Sequence, residues 1–70
     1  MTPTVFERAE AAYHRFVPIE EAGYEVHRKL DAQLIRMTAE LDAGNPVNAE
    51  KYAGSILTIC ALFGERGEQA

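Results

Sequence analysis

Residues 23–46 read GYEVHRKLDAQLIRMTAELDAGNP, and this run decides the fold. At 100° per residue, Gly23, Val26, Leu30, Leu34, Met37 and Leu41, with Ile19 upstream, fall in a sector about 80° wide, a seam of the coiled-coil type. So narrow a stripe calls for another helix. Ala43-Gly44 supplies a left-handed stop that glycine takes without steric penalty. Asn45-Pro46 then restarts the chain as cap and first helical position, with Asn48 as the alternative cap. A connection this short makes the flanking helices antiparallel neighbours. Met37 and Leu41 are then expected beside Ala49 and Ala53, and Val26 and Leu30 opposite Cys60 and Phe63.

Working outward, residues 46–63 carry Ala49, Tyr52, Ala53, Ile56, Leu57, Ile59, Cys60 and Phe63 over nearly half a helical circumference, which predicts contacts to two neighbours. Gly64 and Gly67 end this helix, and the tail 64–70 is expected to fray. On the other side, Pro18 lacks an amide hydrogen and biases Val17 away from helical angles. A first helix over about 3–17 therefore stops there, and the second is expected over 19–42, with Glu20 and Glu21 favoured in its first turn. Gly23 weakens that helix by up to about 1 kcal/mol against alanine. The first helix begins either with Thr2-Pro3 or with a capping box between Thr4 and Glu7. Its apolar stripe is Val5, Phe6, Ala9, Ala12, Tyr13, Phe16 and Val17. It either folds back on the other two helices or extends to a second chain.

Seventy residues with 47% apolar side chains, eleven of them alanine, make one small domain with a thin core that must use nearly every large apolar group or borrow a partner's. A multi-domain enzyme with a deep pocket is excluded. One cysteine, Cys60, excludes a disulfide scaffold and a four-ligand zinc knuckle. Eleven acidic against seven basic residues, net −4, argues against a general nucleic-acid binder, because phosphate neutralisation supplies most of that affinity. The sequence predicts no membrane span and no secretory leader, so a cytoplasmic location is expected.

The candidates for chemistry are few. Cys60 sits on the most apolar face of the third helix, where a thiolate is poorly solvated, and reads as a buried structural cysteine. Glu10 with His14, and His27 with Asp31, are each four residues apart and offer two metal ligands, short of a site. No catalytic residue, cofactor or metal is expected, and the protein is not read as an enzyme.

The more informative feature is the reverse face of the second helix. Tyr24, Arg28, Ile35 and Ala39 lie within about 60° of one another and point away from the seam. Either the first helix covers them or they form a partner surface, since Tyr and Arg are favoured at binding hot spots. Tyr13 and Phe16 join the candidate partner-binding residues if the first helix is free. Arg28, Lys29 and Arg36, with His27 beside them, are the only basic concentration.

Two resemblances arise. Residues Cys60, Phe63, Gly64, Gly67, Glu68 and Gln69, with the Leu41-Asp42-Ala43 turn, resemble the corresponding parts of the Rop family of small dimeric plasmid RNA-binding proteins, which implies a four-helix bundle gripping structured RNA. Pro18 and Gly23 have no place in that family's uninterrupted first helix, and no RNA-contacting role carries over. Leu30 to Leu34, through Gly44 to Leu57, resembles the helical hairpins of small type III secretion co-chaperones.

The sequence therefore predicts an all-α domain over 1–70: an antiparallel helical hairpin with an additional N-terminal helix, assembling as a dimeric helical bundle. The expected role is a non-catalytic protein-protein interaction module, an adaptor, co-chaperone or inhibitor of phage or plasmid type. Its partners are expected to be a target protein and a second copy of the chain rather than nucleic acid or membrane. The alternative is a Rop-like RNA-binding regulator acting through Arg28, Lys29 and Arg36.

Overall fold

The computed structural model describes residues 3–16 and 23–64. Three α-helices follow one another, α1 (Val5–His14), α2 (Gly23–Asp42) and α3 (Pro46–Ile59), and the chain continues from α3 into a π-helical turn, Cys60–Gly64. Among the described residues there is no strand.

Of the two possible starts for α1, the capping box is the one formed. Thr4 Oγ1 accepts from the Glu7 amide at 3.1 Å, and Glu7 Oε1 accepts from the Thr4 amide at 3.1 Å, so two amides that the first turn leaves without partners are each satisfied by the other residue's side chain. Helix α1 is accordingly shorter than the expected 3–17, and His14 ends it with Arg15 as its C-cap. The expected restart after Pro18, and the tail after Gly64, lie outside the described residues.

At the far end of α2 the chain turns as the Gly44 signal requires. Gly44 takes φ +80°, its amide donates to Leu41 O at 3.1 Å, and the Asn45 amide donates to Glu40 O at 2.8 Å. These bonds satisfy two carbonyls that the end of a helix leaves open. Asn45 occupies the N-cap position of α3 without a side-chain capping bond. Its Nδ2 instead donates to Glu40 Oε1 at 3.2 Å, tying the turn back to α2. Pro46 takes the first helical position.

The third helix was expected to run unbroken to residue 63, and here the structure differs. From Cys60 the ladder widens into a π turn.

Helix α3 is the centre of the assembly, packing against both α2 and α1. The fully buried side chains are Ala9 and Ala12 of α1, Val26, Leu30 and Met37 of α2, and Ala49, Ala53, Ile56 and Cys60 along α3 and its extension. Alanine supplies four of these nine, and such small residues let the helix axes approach closely. Val5, Phe6, Tyr13, Phe16, Leu34, Tyr52, Leu57, Ile59 and Phe63 pack around them, half-buried. The first helix therefore folds back on its own chain.

One member of the seam is misplaced by the sequence reading: Leu41 is 37% exposed. Residues 43–48, which form the turn and the first residues of α3, are themselves at the surface, so Leu41 is covered only in part.

Candidate docking face

Helix α2 turns two faces in opposite directions. Val26, Leu30 and Met37 are buried, and on the other side Ile35 is 68% exposed, with Arg28 and Ala39 also exposed. Helix α1 does not cover this face. Tyr24 belongs to the same stripe by its position in α2, and its side chain lies outside the described part of the structure. Beside Ile35 a shallow hollow of about 360 Å³ is lined by Leu34, Ile35, Thr38, Ala39 and Asp42. A second hollow, about 310 Å³, lies further up the helix among Glu25, Arg28, Lys29 and Ala32. The expected basic concentration is thus on the surface, with Arg28, Lys29 and Arg36 all exposed.

Tyr13 and Phe16 occupy a different place. Both are half-buried at the end of α1, where it meets the first turns of α2. The Tyr13 hydroxyl donates to Asp31 Oδ1, and the His27 ring lies 6.0 Å from the Tyr13 ring and 5.9 Å from that of Phe16, centroid to centroid. His27 Nδ1 stands 3.6 Å from Asp31 Oδ2. Asp31 therefore serves both α1 and its own helix. The hydrogen bond to Asp31 raises the Tyr13 pKa above its ordinary value of 10.0, with burial and the carboxylate charge acting in the same direction. The six candidate residues thus fall into two groups: Arg28, Ile35 and Ala39, with Tyr24 by helical position, on the outer face of α2, and Tyr13 with Phe16 in the junction between α1 and α2.

The four-residue spacing of His27 and Asp31 offers two metal ligands, short of a site. In the structure Asp31 accepts from Tyr13, a partnership whose one sequence signal is a hydroxyl on an apolar stripe that needs an acceptor. Among the described residues no group of three or more His, Cys, Asp or Glu is placed to hold a metal ion. Cys60 is 1% exposed and belongs to the core cluster. Missed altogether was a solvent-open cleft of about 590 Å³ between α1 and the far end of α3, lined by Arg8, Ala11, Arg15, Leu57 and Ala61. Its signal was the seven-residue spacing of Arg8 and Arg15, which places both on one side of α1.

Among the described residues no helix is long and apolar enough to cross a membrane. Compared with family models, curated proteins and solved structures, the chain matches none.

Proposed function

We propose that the protein is a non-catalytic protein-protein interaction module of the adaptor, co-chaperone or inhibitor kind, working in the cytoplasm. In this reading α2 and α3 form an antiparallel hairpin, α1 buttresses it, and the outer face of α2 docks a helix of another polypeptide within a dimeric helical bundle. The observation that carries the reading is the 68% exposure of Ile35 at the middle of a stripe that also holds Arg28 and Ala39. An exposed aliphatic group with an arginine and a small residue on the same helix face suits docking of another helix. The cleft beside α1 is lined by arginine, alanine and leucine, and the hollow beside Ile35 mainly by aliphatic and small side chains.

Affinity capture tests this. Ile35→Asp is expected to keep the helical circular dichroism of the wild type and to lose its bound polypeptide, whether another protein or a copy of itself. Retention of every bound polypeptide by that variant would overturn the assignment. An RNA in place of a polypeptide would show as a gel shift that weakens steeply with salt and depends on Arg28, Lys29 and Arg36.

A further inference from the structure

Arg28, Ile35 and Asp42 are each seven residues apart, so they stand in one line along the outer face of α2, and all three are exposed. Ala32 and Ala39, also seven apart, run beside them. Read along the helix the stripe is cation, aliphatic group, anion, with about 10 Å between successive members at 1.5 Å per residue. Such a pattern is its own complement when reversed. We propose that the outer face of α2 pairs with the same face of a second copy of the chain, the two helices lying antiparallel about a two-fold axis near Ile35.

Charge decides the direction. In the antiparallel register Arg28 meets Asp42 of the second copy, Asp42 meets its Arg28, and the two Ile35 side chains bury each other at the axis. A parallel pair would place Arg28 against Arg28 and Asp42 against Asp42, which opposes association. A two-fold interface uses one patch twice, so a single self-complementary stripe is sufficient. Shape agrees with charge. Ile35, Thr38, Ala39 and Asp42 around the 360 Å³ hollow are spaced i, i+3, i+4 and i+7, the four corners of a hole in knobs-into-holes packing. In this register that hole receives Ala32 of the second copy, and the alanines allow the close approach that a shallow hole needs. The Arg28 guanidinium has five N–H donors, enough to serve Asp42 of the second copy together with a contact in its own chain.

This inference rests on the reading of the α2 face as a docking surface and names its occupant. Sedimentation or light scattering of the full chain over about 1–100 µM tests it, the range in which a two-fold helix pair of micromolar affinity dissociates. A dimer is expected. Ile35→Asp should give the mass of a single chain, and Arg28→Glu or Asp42→Lys alone should each raise the dissociation constant about tenfold, since each reversal sets like charges at two symmetric pairs. The double variant Arg28→Glu/Asp42→Lys restores opposite charges and should return the constant to within about threefold of wild type. The two reversals lie at exposed positions and decide the matter even if Ile35→Asp unfolds. A single-chain mass at every concentration, a dimer indifferent to all these changes, or a double variant no better than the single ones would overturn the proposal. If the wild type is monomeric and Ile35→Asp still loses a different captured protein, the docking face stands and self-pairing falls. If neither association nor capture responds, both fall.

Discussion

The Tyr13 hydroxyl of α1 donates to the Asp31 carboxylate of α2, and this bond, flanked by the His27 ring, joins the end of the first helix to the second across the residues between them. Helix α1 is only ten residues long, too short to be stable alone in water. Its place rests on Ala9 and Ala12 in the core, on Val5, Phe6 and Phe16 packed around them, and on this polar contact.

Removing the hydroxyl with Tyr13→Phe leaves the ring packing and deletes the bond. A hydrogen bond to a charged acceptor contributes about 1.5–3 kcal/mol when sheltered, and this one is half-exposed, so a loss of about 1 kcal/mol is expected in a urea melt. The pH dependence has a definite sign. The folded-state pKa of Tyr13 lies above the ordinary 10.0, so the contribution is fully present below about pH 10 and is lost as pH rises through the raised value. Wild type should therefore lose stability relative to Tyr13→Phe only at strongly alkaline pH, and parallel curves for the two proteins above pH 10 would contradict it.

Two leucines on the same helix should separate core from margin. Leu30 is wholly buried, whereas Leu41 is 37% exposed. Leu30→Ala removes buried methyl groups and leaves a cavity, a change that costs about 2–5 kcal/mol, and Leu41→Ala should cost clearly less because its surroundings are already solvated. Equal losses in denaturant titrations would mean that a partner covers Leu41.

That comparison also marks what could be read from residues alone. The turn was legible because Gly44 has a mechanism attached to it: only a residue without Cβ takes φ +80° at no steric cost. The buried faces of α1 and α3 were legible because three- and four-residue periodicity survives in Ala9, Ala12, Ala49, Ala53, Ile56 and Cys60. The exposure of Leu41 was not, since periodicity says which way a side chain points along a helix and not how far the neighbouring helix extends. Asp42 was passed over for a related reason. As the last residue of α2 it reads as part of the turn, and only its spacing of seven residues from Ile35 and twice that from Arg28 puts it on the outer face. Tyr13 and Asp31 lie eighteen residues apart, beyond any local pattern.

Cys60 should behave as a core residue. At 1% exposure within the buried core cluster, its thiol can reach a reagent only when the α3 extension opens, so labelling by an aromatic disulfide should be slow in the native protein and fast in denaturant. Native labelling as fast as that of the unfolded chain would show that the π turn opens readily.

Thr4→Ala should unfasten the first helix. Alanine keeps the Thr4 amide that donates to Glu7 Oε1 but removes the Oγ1 that accepts from the Glu7 amide, and loss of such a cap costs about 1 kcal/mol. With α1 so short, the effect should appear first as faster amide exchange in residues 5–9 and only then as a lower melting temperature. Unchanged exchange there would show that packing of Ala9 and Ala12 holds the helix without its cap.

Two glycines give the last prediction, because alanine at each should act in opposite directions. No atom lies within 4 Å of a Cβ built at Gly44 or at Gly54, so neither substitution meets a clash and only the backbone decides. Gly44 holds φ +80°, a left-handed conformation that costs an L-residue roughly 1–2 kcal/mol, and Gly44→Ala should lower stability by about that amount. Gly54 lies inside α3 at ordinary helical angles, where glycine is roughly 0.5–1 kcal/mol worse than alanine because its unfolded state has more freedom to lose. Gly54→Ala should therefore raise stability by about that amount, measured in the same urea titrations. A gain at both positions would mean that the turn relaxes to a right-handed form, and a loss at both would mean that the surface of α3 around Gly54 is covered in solution by something the single chain does not contain.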